Sequence, residues 1–123
     1  MNIEEYYEYC SGLPGTEEGF PFDEYILVFK VGGKIYALTH VEEFNYINLK
    51  CDPDRAVALR AEYEDITPGY HMSKKHWNSV GTRGALEDDL IRELIKDSYT
   101  LILNSLPKKA REDVIAGNTT DEQ

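Results

Sequence analysis

Between Pro68 and Val80 the chain gathers most of the side chains that could do chemistry. His71 and His76 lie there with Trp77, the only tryptophan, and with the adjacent Lys74 and Lys75. No Asp or Glu occurs from Ile66 to Arg83, although the 123-residue chain carries a formal net charge of -10. Two imidazoles, with His40 as a third, are ligand types for a metal. No Cys or carboxylate accompanies them within the stretch, and neither usual His spacing for zinc is present, so no metal site is assigned. Cys51 beside His71 or His76 would make a nucleophile and base. Its alternation with Leu49 marks it instead as a small core residue. With no GxGxxG, P-loop or GxSxG pattern either, no catalytic residue and no cofactor is assigned.

Phosphate binding is the chemistry that remains. It needs cations to meet phosphates and flat groups to stack on bases. His71, Lys74, Lys75, His76, Asn78 and Arg83 supply the first, with Lys50 and Lys108-Lys109 as further candidates, and Trp77 the second. Against this, a tryptophan between strand residues is ordinarily core, and two lysines in a turn are commonplace. The expected partner is duplex DNA, bound weakly and with strong salt dependence, because the acidic remainder repels a polyanion. The competing expectation is an acidic protein-interaction module that uses a wet, aromatic sheet face carrying Tyr36 and Tyr46.

The acid is unevenly spread. Residues 1–49 carry -7, residues 50–83 carry +1 and residues 84–123 carry -4, so an anion-binding surface belongs in the middle third. Hydrophobic residues make up 41% and charged residues 29%, ordinary for a globular domain. No apolar run approaches the roughly 20 residues a membrane span needs. Glu4, Glu5 and Glu8 are unlike a basic, apolar signal peptide, so Cys10 and Cys51 are expected as reduced thiols in the cytoplasm.

The elements that must position these residues follow from local signals. Ile3, Tyr6, Tyr7 and Cys10 share one face of a short helix, with Asn2 and Glu5 placed as a capping box. Strands are predicted over Thr16–Phe20, Tyr25–Val31, Lys34–Thr39 and Tyr46–Cys51, the middle pair joined at Gly32-Gly33. In the last strand Ile47, Leu49 and Cys51 face one way and Tyr46, Asn48 and Lys50 the other. Asp52-Pro53 starts a helix to about Tyr63 that buries Ala56, Val57 and Leu59 or Tyr63. Tyr70–Met72 and His76–Val80 read as two short strands, with Trp77 inward and His76 and Asn78 outward. A long helix follows Gly84, its stripe made by Leu90, Ile91, Leu94, Ile95, Leu101 and Ile102. The whole is a two-layer α+β domain over residues 1–116, a curved antiparallel sheet backed by helices, with a flexible tail over 117–123.

Several blocks along this order resemble one family. They are Tyr9-Cys10, Leu13-Pro14-Gly15-Thr16, Phe20-Pro21-Phe22-Asp23, Val28-Phe29-Lys30, Asn48-Leu49-Lys50-Cys51-Asp52-Pro53, Pro68-Gly69-Tyr70-His71-Met72, Lys74-Lys75-His76-Trp77-Asn78 and Ser105-Leu106-Pro107-Lys108-Lys109. Together they resemble the MmcQ/YjbR family over roughly residues 6–111, with Ser73 where an asparagine is expected. The resemblance implies a fold akin to CyaY-like, double-wing DNA-binding-like and secretion-chaperone-like proteins, and with it the family's label of DNA-binding protein. It brings no catalytic residues. Iron binding, which a CyaY likeness would imply, needs a carboxylate row on the first helix. Glu4, Glu5 and Glu8 offer one, but acids at a helix N-terminus complement its dipole without any metal.

Overall fold

A computed structural model describes residues 1–120, with side chains through Gly117. Asn2 opens α1 (Ile3–Ser11) with a true capping box: its side chain accepts from Glu5 N–H at 2.8 Å, while Glu5 Oε1 accepts from Asn2 N–H at 3.0 Å. β1 (Thr16–Gly19), β2 (Ile26–Val31), β3 (Lys34–His40) and β4 (Tyr46–Lys50) follow as an antiparallel meander. Gly32 and Gly33 turn β2 into β3 with φ of 58° and 80°, left-handed values that suit a two-residue hairpin. Asp52 caps α2 (Pro53–Glu62) by accepting from Arg55 N–H, with proline at the first turn. β5 (Ile66–Pro68) and β6 (Trp77–Gly81) complete a six-stranded antiparallel sheet in the order β1-β2-β3-β4-β6-β5. α3 (Asp88–Ser105) and α4 (Lys108–Thr120) close the chain.

One face of the sheet carries the core. Tyr6 and Cys10 of α1, Phe29, Ile47 and Leu49 of the sheet, and Ile91 and Ile95 of α3 are all essentially inaccessible to water. Tyr6 stacks edge-on against Phe29 at 5.3 Å, an arrangement that adds to simple burial. Ser98 of α3 ties that helix to two strands, donating to Tyr36 O at 2.6 Å and accepting from Lys50 N–H at 2.9 Å. The architecture is the α+β sheet-and-helix domain expected from the sequence.

Four local expectations are corrected, and one element is added. Tyr36 is fully buried, not on the wet face. Phe29 pairs with Ala37 and Lys30 with Ile35, so Tyr36 is the extra residue of a β-bulge. A bulge puts neighbouring side chains on one face, and Tyr36 turns into the core beside Ala37. Its ring meets Tyr99 edge-on at 5.3 Å, and its hydroxyl bonds with Thr16 and donates to Cys10 O. Asn78 is also inside, only 2% exposed. It pairs across the ladder with core-facing Leu49, and its Nδ2 donates to Ala56 O at 3.4 Å. Alternation in β6 is real but its phase is shifted by one residue, so half-buried Trp77 pairs with Lys50 on the opposite face. Val57 and Leu101, assigned to apolar stripes, are 61% and 39% exposed. Tyr70–Met72 is a turn, and the strand partnering β6 is Ile66–Pro68. Lastly, Lys108 begins a helix: α4 packs Val114 against Gly15, where an added Cβ would approach Val114 Cγ1 to 2.8 Å. α4 runs through residues 117–120, and of the tail expected over 117–123, residues 121–123 lie outside the described residues.

Candidate functional site

The helix-free face of the sheet holds the site. β4 presents Tyr46 and Asn48 there, and β6 presents Ser79, which pairs with Asn48 across the ladder. Both polar residues are nearly water-inaccessible, at 5% and 4% exposure, because the turn Gly69–Met72 lies over them. Ser79 Oγ donates to Asn48 Oδ1 at 2.5 Å and accepts from Tyr70 N–H at 2.9 Å, while Asn48 Nδ2 donates to Tyr70 O at 3.0 Å. Both backbone groups of Tyr70 are thus satisfied by side chains of the sheet beneath. Gly69 makes the close approach possible: a Cβ there would meet Trp77 Cβ at 2.7 Å and Trp77 O at 3.0 Å.

Fixed in this way, the turn forms one wall of a groove of about 400 Å³. Ile26 and Leu38 of the sheet line it together with Phe22 and with Tyr70, His71 and Met72 of the turn. Phe22 is 64% and Tyr70 56% exposed. Tyr46 and Tyr70 stand nearly perpendicular, 82° apart with centroids 6.0 Å from each other. His71 adopts φ of 60°, a left-handed conformation uncommon outside glycine, with its ring 4.0 Å from that of Tyr70. At the far end His40 stacks on Tyr25, nearly parallel at 5.3 Å. His40 Nδ1 accepts from Glu43 N–H at 3.2 Å, which makes Nε2 the protonated nitrogen and faces it towards Glu43, 4.0 Å away.

The residues expected to bind phosphates separate into five places. Lys50, Lys74, Lys75 and His76 gather at the corner where β4 ends and β6 begins; Lys74, Lys75 and His76 are exposed, and Lys74 Nζ donates to Gly69 O at 3.1 Å. Arg83 lies beyond the opposite end of β6, where its guanidinium donates to Glu43 O at 2.6 Å. Lys108 and Lys109 begin α4 and stand 4.0 and 3.9 Å from Glu112 and Asp113. His71 belongs to the groove, and Asn78 to the core. The corner is therefore a local basic spot beside an aromatic groove.

The thiols face inward. Burial pushes Cys10 up to about 12 and also raises Cys51, which lines a smaller gap of about 250 Å³ between α2 and α3. Arg55 bridges that gap's rim, bonding Asp97 and, at 3.2 Å, Glu93. Neither thiol has the lowered pKa of a nucleophile. Among the described residues, no three His, Cys, Asp or Glu side chains come together as a metal site would require, and no helix is long and apolar enough to cross a membrane.

The groove was missed in the sequence because Tyr70 and Phe22 belong to segments far apart in the chain. The only local signals were exposed-type rings beside turn residues, Pro21-Phe22 and Gly69-Tyr70.

The geometry has close counterparts. The chain is 41% identical over 106 residues to the Escherichia coli O157:H7 protein YbdF, covering 85% of this chain and 87% of that one. It is 34% identical over 113 residues to the YjbR protein of Escherichia coli K12, covering 91% and 96%. The crystal structure of the Deinococcus radiodurans protein DR2400 superposes with a TM-score of 0.87 at 37% identity, over 92% of this chain and 87% of that one. A Pseudomonas syringae protein superposes with a TM-score of 0.72 at 30% identity, over 83% of this chain and 99% of that one. The YjbR family model matches residues 11–101, from the end of α1 into α3. With that match spanning both sides of the groove, this chain belongs to the YjbR family.

Proposed function

We propose that this protein is a binding module whose helix-free sheet face docks a short segment of a partner protein in the groove under Tyr70. The carrying observation is the fastening of the Tyr70 turn by the buried Asn48–Ser79 pair, which holds a large ring 56% exposed at the edge of the groove. A preformed aromatic wall lowers the entropic cost of binding. Selection of a displayed random peptide library against the full chain tests this. Enriched peptides should lose at least about tenfold in affinity on Tyr70→Ala, the loss expected of an aromatic anchor, with the melting temperature little changed. Enriched peptides indifferent to Tyr70→Ala and Phe22→Ala would defeat the proposal.

A second reading is supported by the basic corner. Lys50, Lys74, Lys75 and His76 adjoin half-buried Trp77 there, with no acid from Ile66 to Arg83. Duplex DNA is the ligand that corner would take, through a few phosphates. Replacing Lys74 and Lys75 by glutamine should then make the plot of log affinity against log salt shallower by roughly 2. Absence of wild-type binding at low salt would end this reading.

A further inference from the structure

The groove is walled by aromatic rings and carries one carboxylate. Tyr46 and Tyr70 meet at 82° with centroids 6.0 Å apart, forming two walls of a corner, and Phe22 also lines the groove. Among the described residues Glu43 is the one carboxylate in its lining, 63% exposed with His40 Nε2 4.0 Å away, and the lining holds two imidazoles, His40 and His71, but no Lys or Arg. Arg83 does not line the groove and is turned to the Glu43 backbone carbonyl. Ring faces carry negative potential, and perpendicular rings beside a carboxylate attract an organic cation more than a neutral group of equal size. The net charge of -10 acts in the same direction over longer range.

We infer that the groove recognises a cationic side chain: the partner segment places an alkylammonium group, such as a lysine or methylated lysine presents, between Tyr46, Tyr70 and Phe22 with Glu43 at the rim. This rests on the groove being the docking site. It adds the chemistry of the guest.

The test uses two probes of one shape, choline and 3,3-dimethylbutan-1-ol, in which carbon replaces the charged nitrogen. Each is titrated into the isotopically labelled full chain and followed by amide and aromatic chemical shifts. Choline should shift Leu38, Tyr46 and Tyr70 and bind roughly three- to tenfold more tightly than the alcohol. Glu43→Gln and Tyr70→Leu should each shrink that ratio. Equal binding of both probes in the groove overturns the cation inference and leaves the docking site standing. Choline shifts scattered over Glu4, Glu8 and Glu18 instead of the groove also overturn it. Shifts from neither probe overturn the inference, while the docking site is decided separately by the selected peptides and Tyr70→Ala.

Discussion

Asn48 Nδ2 donates to Tyr70 O at 3.0 Å across 22 residues of chain, and through that contact a buried strand residue sets the position of an exposed ring. Ser79 completes the arrangement by donating to Asn48 Oδ1 and accepting from Tyr70 N–H. Removing one partner leaves buried polar groups unpaired. Asn48→Ala should therefore cost about 1–3 kcal/mol, and the Asn48/Ser79 double-mutant cycle should show coupling of about 0.5–3 kcal/mol. Urea unfolding gives both values, and hydrogen exchange at the Tyr70 amide should speed up in each single mutant.

Gly69 is required for space. Gly69→Ala would set a methyl group 2.7 Å from Trp77 Cβ and 3.0 Å from Trp77 O, and the backbone oxygen cannot swing away. Such overpacking typically costs about 1–3 kcal/mol. The tryptophan emission should change as the turn lifts from Trp77, and an unchanged spectrum with wild-type stability would show that the turn is not seated on Trp77.

His71 opposes stability to binding. Its φ of 60° is unfavourable for a residue with a Cβ but free for glycine. His71→Gly should leave the protein as stable as wild type or more stable by up to about 1 kcal/mol. Peptides selected against the groove should nonetheless bind the variant more weakly, because the imidazole beside Tyr70 is gone. Isothermal titration and thermal melts on the same samples separate the two effects.

Burial makes stability fall in alkali. Cys10 has its pKa raised from 9.0 to about 12 by desolvation, so the folded state holds this proton more tightly than the unfolded chain. The contribution is fully present below pH 9.0 and is lost as pH rises towards 12, since the unfolded thiol ionises first. The slope can reach about 1.4 kcal/mol per pH unit for one such group. Urea midpoints from pH 8 to 10.5 should fall less steeply for Cys10→Ala than for wild type. Tyr6 and Tyr36, also raised by burial, add their own slope at higher pH in both proteins.

Local signals carried much of the fold. Asn2 with Glu5, Gly32-Gly33 and Asp52-Pro53 each act within a few residues, and each forms the cap or turn that its chemistry dictates. The misses share a cause in distant partners. Asn78 turns inward because Ala56 O awaits its amide 22 residues away, and Tyr36 does so because a bulge places it against Thr16 and Tyr99. Tyr70–Met72 lost its strand character to side-chain hydrogen bonds that no periodicity reveals. α4 was the exception, legible in principle: Lys108 with Glu112 and Lys109 with Asp113 are i,i+4 pairs of the kind that mark a helix face. The basic candidates scattered because clustering in sequence around β6 places its two ends, Lys74-Lys75 and Arg83, apart by the length of a strand.

A partner segment docked in the groove under Tyr70 must perturb the amides that surround it. The decisive measurement is amide chemical-shift mapping of the labelled full chain with a library-selected peptide. The predicted result is a contiguous set of shifts over Leu38, His40, Tyr46 and Tyr70–Met72, abolished by Tyr70→Ala while Lys74→Gln with Lys75→Gln leaves it in place. Shifts centred on Lys50, Lys75 and His76, or retained in full by Tyr70→Ala, would contradict it.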